Sequence, residues 1–185
     1  MNPLQSLSLA GSYARPSKLY RYSQRQWLER SLTQGEFRLC PPASTAYAMA
    51  GSDQIMPFGP KPAAMPTGFL TLSMASAWDD FLFDAFGGAD CCLVIHDVEA
   101  FGERVHRAAQ RVLPSWAGID AAISYGKPSP LGAVFSKARQ LAAEKEWLFA
   151  WRPTQRTLSG NPVVIRLGSI EGIAELRERS KDPAP

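Results

Sequence analysis

The chain has 185 residues, of which 45% are hydrophobic and 10% aromatic, and its formal net charge is +3. This length and composition indicate one globular domain that can bury a sizeable core, and they argue against an intrinsically disordered chain. The lysines and arginines are scattered along the sequence. The weak positive charge therefore allows nucleic acid as a partner without indicating it.

No continuous apolar stretch approaches the roughly 20 residues that cross a bilayer, and the N-terminal MNPLQSLSLAGSYARPSK lacks the basic start and apolar centre of a secretory signal. We therefore expect a soluble, cytoplasmic protein without a membrane partner. The three cysteines, Cys40, Cys91 and Cys92, show no metal-ligand spacing and are predicted to be reduced thiols of the core. No metal site is expected.

The first predicted elements are a loose N-terminal segment, residues 1–17, and a strand over KLYRYS, residues 18–23. A helix follows in SQRQWLERSLTQG, with Ser23 as its N-cap and Gly35 at its end. EFRLC is a second short strand. The stretch from Pro41 to Gly68 is rich in Pro, Gly, Met and Ala, and we expect a long loop that borders a functional cleft and is mobile without ligand.

Further strands and helices follow without a regular βαβ rhythm. Strands are predicted over FLTLS, DCCLVIHD, GIDAAISYG, EKEWLFAW and PVVIRLGS, and helices over SAWDDFLFDAFGG, VEAFGERVHRAAQRVL, PLGAVFSKARQLA and IEGIAELRERS. This mixture favours an α+β fold. Residues 18–178 are predicted to form a single domain, and residues 179–185 a disordered tail.

The stretch LAAEKEWLFAW places two carboxylates inside an apolar run. If it is a strand, Glu144 and Glu146 face one side and could line a cleft, while Trp147 and Phe149 face the core on the other. A helix also fits the spacing of the apolar residues, and the two carboxylates would then diverge. The aromatic content and Pro153 favour the strand.

The two histidines give no indication of a catalytic centre. His96 ends a buried strand beside Asp97, and the pair has no nucleophile at a diagnostic spacing, so a structural role is favoured. His106 is predicted on a solvated helix face beside Arg107. Walker and dinucleotide-binding glycine patterns are missing, which argues against a P-loop or Rossmann enzyme.

Three predicted strands carry polar residues of complementary chemistry: Arg21 in LYRYS, Ser73 in FLTLS, and Glu144 with Glu146 in EKEW. Each could serve a local structural role by itself. In this order they resemble the R-S-E pattern of ADP-ribosyltransferases. The resemblance implies a split, strongly bent antiparallel sheet with flanking helices, and NAD as the substrate.

The resemblance also implies a role for each residue. Glu146 would be the catalytic carboxylate, because a negative charge stabilises the oxocarbenium-like centre that forms as nicotinamide leaves. Glu144 would orient or activate the acceptor, Arg21 would hold phosphate or ribose, and Ser73 would support the site. Aromatic side chains that could stack on nicotinamide or adenine, and could equally belong to the core, are Tyr20, Tyr22 and Trp78.

A second resemblance covers more of the chain and concerns a bacterial family defined as a domain of unknown function. Its members open with an L-Y-K-Y-like strand and close with K-x-x-x-W-x-x-E-x-E-W-R, and some resemble abortive-infection components. Leu148 replaces the arginine of the closing motif, and the family's NDPFE-like loop is absent. The matching residues are Lys137, Glu144, Glu146 and Trp147 in the closing motif and Trp78 at an earlier tryptophan. The stretch ADCCLVIHD matches the family's cysteine strand.

Together the resemblances imply an NAD-dependent mono-ADP-ribosyltransferase that modifies a protein or nucleic acid in a bacterial toxin or phage-defence setting. A cognate immunity or antitoxin protein would be a partner, and an effector would be delivered into the cytoplasm of a target cell. The alternative is a non-catalytic binding or immunity-type protein with the same fold. Convergence of Arg21, Ser73 and Glu146 on one pocket favours the enzyme, whereas burial of Glu146 against Lys137 favours the binding protein.

Overall fold

The computed structural model describes residues 14–42, 68–155 and 161–179. Most of the predicted loop from Pro41 to Gly68, which we expect to border a cleft, lies outside these residues. Within the described ranges, no helix is long and apolar enough to cross a membrane.

In the described part of the chain, six strands form one antiparallel sheet and confirm the α+β class. The same ranges also contain two short strand pairs, one antiparallel and one parallel. In spatial order the sheet consists of β10 (Ala174–Glu178), β4 (Cys91–Ile95), β1 (Leu19–Ser23), β3 (Leu70–Ala75), β8 (Glu146–Pro153) and β5 (Trp116–Ala122). The pairs are β2 (Glu36–Leu39) with β9 (Val163–Arg166), and β6 (Ser124–Tyr125) with β7 (Ser136–Lys137).

Among the described residues, three α-helices and two 3₁₀ segments connect these strands. The helices are α1 (Arg25–Gln34), α2 (Phe81–Ala85) and α3 (Val98–Val112), and the 3₁₀ segments are Ala133–Phe135 and Arg139–Glu144. Helix α1 ends as predicted at Gly35, whose φ of 62° lies in the left-handed region. Its N-terminus differs from the prediction: the backbone N–H of Arg25 donates to Asp90 Oδ1 at 2.7 Å, and Ser23 belongs to β1.

Side chains alternate between the two faces of the sheet along each strand, and both faces are covered by packed hydrophobic residues. On the first face Leu19, Leu93 and Phe149 belong to the main core, together with residues of α1, α3 and the β2–β9 pair. On the second face one small cluster includes Phe83 of α2, and another includes Phe135 of the first 3₁₀ segment. Strand β4 is buried along its whole length, as DCCLVIHD predicts.

The ladder between β1 and β3 is interrupted. These strands share a single residue pair, Tyr20 with Ala75, whereas β1 pairs with β4 along its entire length. Strand β3 is likewise fully paired with β8. Beyond Tyr20 and Ala75 the two halves of the sheet therefore have a gap between them.

Two helix predictions are wrong. IEGIAELRERS contains β10, because pairing with β4 from Ala174 to Glu178 satisfies the backbone at the open edge of the sheet and outweighs helical periodicity. PLGAVFSKARQLA contains two 3₁₀ segments on either side of β7. Gly132, with φ of 100°, redirects the chain there, and Ser136–Lys137 then pairs with β6.

Candidate functional site

A row of three side chains crosses the sheet beside the gap. Tyr20 pairs with Ala75, and Ala75 pairs with Glu146, so these residues of β1, β3 and β8 share the second face. Because the middle member is alanine, little side-chain volume separates the tyrosine ring from the carboxylate. The small side chain and the open ladder together leave room for a cavity.

This cavity, which we call the gap cavity, has a volume of about 190 Å³. It brings together Arg21, Ser73, Glu144 and Glu146, the four polar residues of the R-S-E pattern. Its lining consists of Tyr20, Arg21 and Tyr22 from β1, Ser73, Met74 and Ala75 from β3, and Phe86, Glu144 and Glu146. The sequence places these residues on separate elements, and their meeting is a result of the strand order β1-β3-β8.

The Arg21 guanidinium lies where β1 and β3 separate. Its Nη1 donates to the backbone carbonyl of Ser73 at 3.1 Å. Burial lowers its pKa from the usual value, and no carboxylate among the described residues pairs with it. A guanidinium has five N–H donors, and within the described ranges only the Ser73 carbonyl accepts from the Arg21 side chain, so this group could also donate to an anion.

The two glutamates reach the gap cavity from different local structures. Strand β8 begins at Glu146, and the alternation of Glu146 and Leu148 with Trp147 and Phe149 follows the predicted strand. Glu144 is not on this strand, which corrects the prediction: it ends a 3₁₀ segment. Lys145 then has a left-handed φ of 43°, and this turn returns both carboxylates to one side.

Glu146 forms a buried ion pair with Lys137. Its side chain is 5% exposed, and Lys137 Nζ lies 2.5 Å from its Oε2. The same ammonium lies 3.3 Å from Oε2 of Glu144. Burial disfavours the charged lysine, but the two carboxylates outweigh that effect and the pKa of Lys137 is raised.

Tyr125 fixes the start of β8 from the other side. Its hydroxyl oxygen accepts the backbone N–H of Glu146 at 2.9 Å, and burial raises its pKa. Tyr125 and Lys137 are paired residues of β6 and β7, so one small substructure holds both supports. Neither residue is among the site residues predicted from the sequence, although Lys137 opens the closing motif that contains Glu144 and Glu146.

The aromatic candidates differ in their access to the gap cavity. Tyr20 and Tyr22 line it, whereas Trp78 does not. The Trp78 ring packs 6.1 Å from Tyr20 and 5.9 Å from Tyr22, between ring centroids. The Tyr22 hydroxyl accepts the backbone N–H of Asp79, and its ring is almost fully buried. Of the three predicted aromatic residues, Tyr20, which lines the cavity and is partly exposed, is therefore the one with most freedom to contact a ligand.

A second polar cluster lies on the first face of the sheet, around Asp120. Its carboxylate accepts two hydrogen bonds of 2.8 Å from Arg15 and a third hydrogen bond from Trp147 Nε1. One of its oxygens also lies 2.7 Å from His106 Nε2. His106 is only partly exposed and packs against Phe149, which corrects the predicted solvated position. Because its oxygens are occupied by three side chains, we interpret Asp120 as a structural anchor that holds Arg15 against the sheet.

Across residues 14–42, 68–155 and 161–179, no three His, Cys, Asp or Glu side chains come together in a way that could hold a metal ion. A comparison of the chain with protein-family models, curated proteins and solved structures finds no match.

Proposed function

We propose that the gap cavity binds the nicotinamide–ribose end of NAD and that the protein transfers ADP-ribose from NAD to a macromolecule. The observation that carries this proposal is that Arg21, Ser73 and Glu146, from three strands, line one cavity. The interruption between β1 and β3 also suits the split sheet implied by the resemblance to ADP-ribosyltransferases. A cavity of about 190 Å³ is smaller than most whole-ligand sites, so the rest of NAD would lie outside it.

The charges of the lining match those of NAD. Glu144, Glu146 and Lys137 together carry one net negative charge, and Arg21 brings a positive charge from β1. The nicotinamide ring of NAD is cationic and its pyrophosphate is anionic. A ligand of this kind would place its cationic ring toward the carboxylates and its phosphates toward Arg21.

In the proposed reaction the bond between nicotinamide nitrogen and the anomeric carbon of the ribose breaks. The electron pair leaves with neutral nicotinamide, and the carboxylate of Glu146 stabilises the positive charge that develops on the ribose. An oxygen or nitrogen of the acceptor then bonds to the anomeric carbon and loses its proton, for which Glu144 is the nearby base. Water in place of the acceptor would give simple hydrolysis.

The test measures nicotinamide released from NAD by the parent protein and by Glu146→Gln. The amide keeps the shape and polarity of the side chain but removes its charge, so release should fall by about a hundredfold while NAD binding survives. Glu144→Gln should spare hydrolysis and impair transfer to an acceptor. Glu103→Gln, an exposed change on α3, is the matched control.

Two results would overturn the enzymatic proposal. One is an equal rate of nicotinamide release from the parent and from Glu146→Gln. The other is the lack of any release by the parent, with or without protein and nucleic acid acceptors from a bacterial extract. NAD labelled in its ADP-ribose part, used in the same incubations, would show whether a protein or a nucleic acid is modified. The identity of the modified acceptor would then test the proposed toxin or phage-defence setting.

The second candidate is a non-catalytic binding or immunity-type protein, and the Lys137–Glu146 ion pair favours it. An ammonium at 2.5 Å from Glu146 Oε2 partly neutralises the charge that catalysis needs. Under this function NAD, or another ligand with both charges, would bind without turnover. Calorimetric binding of NAD by a parent protein that releases no nicotinamide would support this candidate, and transfer of label from NAD would contradict it.

A further inference from the structure

A second concave surface lies on the other side of β1, and we call it the α1–β2 groove. It has a volume of about 300 Å³ and is lined by residues of β1, α1, β2 and β9, among them Arg21, Trp27, Arg30, Glu36, Arg38 and Val164. Arg21 is the one residue that it shares with the gap cavity. The proposed NAD chemistry makes no use of the other five.

Positive charge dominates this groove. Glu36 is the carboxylate of its lining, and it is already contacted by Arg30 at 3.0 Å and by Arg166 at 3.1 Å. Arg38 is exposed and makes no ion pair with a described residue. Three guanidiniums, those of Arg21, Arg30 and Arg38, thus line the groove with one carboxylate, so the groove has an excess of donors suited to an anionic oxygen group.

The groove also presents an aromatic surface. Trp27 is 52% exposed, which is unusual for so large an apolar side chain. Its ring is held in place, because Nε1 donates to Gln24 Oε1 at 3.2 Å and the Arg30 guanidinium lies 6.0 Å from the ring centroid. Val164, 45% exposed, extends the apolar surface. A fixed aromatic ring in the same groove as the unpaired Arg38 guanidinium suits a planar ring attached to a phosphate.

We propose that the α1–β2 groove is a binding site for a nucleoside phosphate, with the phosphate on Arg38 and the base against Trp27. A volume of about 300 Å³ is at the lower end of small-molecule sites, which favours a mononucleotide over a polymer. The inference does not depend on the function proposed for the gap cavity. The two sites use different aromatic residues and different charged residues apart from Arg21.

The experiment titrates the whole chain with AMP and follows binding by calorimetry and by tryptophan fluorescence. Inorganic phosphate and adenosine, tested separately, should each bind more weakly than AMP. Arg38→Gln should weaken AMP binding by about tenfold or more, the scale of a lost charge-assisted hydrogen bond. Trp27→Ala should weaken it by about tenfold through loss of stacking. Both side chains are exposed, so circular dichroism should show that the variants fold.

Matched controls are Arg107→Gln and Phe81→Ala, which remove an exposed charge and an exposed aromatic ring outside the groove. Glu146→Gln should leave AMP binding intact, and Arg38→Gln should leave nicotinamide release intact, so failure of one proposal is distinguishable from failure of the other. The inference is overturned if AMP does not bind at millimolar concentration, or if it binds equally to the parent, Arg38→Gln and Trp27→Ala. Binding of an oligonucleotide without binding of AMP would also overturn it.

Discussion

Lys137 Nζ lies 2.5 Å from Oε2 of Glu146 in a pair whose side chains are 13% and 5% exposed. The lysine belongs to a two-residue strand and the glutamate to the first position of β8. Their contact joins the β6–β7 pair to the main sheet at the edge of the gap cavity. Its consequences for stability and for binding can be measured separately.

The first prediction concerns the stability that this pair confers. Lys137→Met should lower the free energy of unfolding by about 3–5 kcal/mol, because Glu146 is left buried without its counter-ion. Replacing both residues, as Lys137→Met with Glu146→Leu, should recover most of the loss, since no buried charge remains. Urea denaturation measures both effects, and Lys127→Met is the control at an exposed lysine. A single variant as stable as the parent would show that the pair is not a significant stabilising contact.

The second prediction concerns Arg21. Arg21→Lys keeps the charge but loses the planar group that can bind phosphate through two hydrogen bonds, so NAD affinity should fall by about tenfold. The fold should persist, because the one hydrogen bond that the Arg21 side chain makes to a described residue goes to the backbone carbonyl of Ser73, and the pairing of β1 with β4 does not involve the side chain. Calorimetry with NAD and a melting curve measure the two effects. Parental affinity in the variant, or loss of its folded baseline, contradicts the prediction; Arg107→Lys is the control.

The third prediction concerns pH. Burial opposes ionisation of Asp120, but hydrogen bonds from Arg15, His106 and Trp147 outweigh it and hold the pKa of this carboxyl well below its usual value. A depressed folded-state pKa gives stability that is present above the unfolded pKa of about 3.9 and is lost as pH falls toward the folded pKa. Asp120→Asn should therefore cost about 3–5 kcal/mol at pH 7 and less at pH 3.

Unfolding in urea at pH 7, 5 and 3 measures this difference, with Glu103→Gln as the control at an exposed carboxylate. A cost for Asp120→Asn that is the same at all three pH values would mean that the charge of Asp120 does not contribute. The N-terminal segment offers an independent measurement, since loss of the Arg15 contact should increase proteolysis near residue 15 in the variant.

The fourth prediction compares two glycines. Gly35 has φ of 62°, and a Cβ there would lie 2.2 Å from the carbonyl oxygen of Gly168. Gly35→Ala should therefore cost about 2 kcal/mol or more, from left-handed strain combined with a backbone clash. Gly172→Ala, where a Cβ would have no neighbour within 4 Å, should be nearly neutral. Equal melting temperatures for the two variants would disprove the close approach of Gly35 to Gly168.

Elements with local signals could be predicted from the amino-acid sequence. Alternating side chains predicted β8 with Trp147 and Phe149 in the core, a continuous apolar run predicted β4, and helical periodicity with Gly35 at its end predicted α1. Each of these signals arises from neighbours along the chain, through side-chain alternation, capping or the conformational freedom of glycine.

Tertiary structure alone decided the features that depend on distant partners. Residues 174–178 have helical periodicity but form β10, because the edge of β4 supplies backbone partners that a short exposed helix would lack. The same holds for the candidate site. The sequence pattern selected Arg21, Ser73 and Glu146. That these residues line one cavity follows from the strand order β1-β3-β8 and from the single Tyr20–Ala75 pair, and the ion pair of Glu146 follows from the approach of Lys137. A local pattern cannot predict such contacts, because they join residues far apart in the chain.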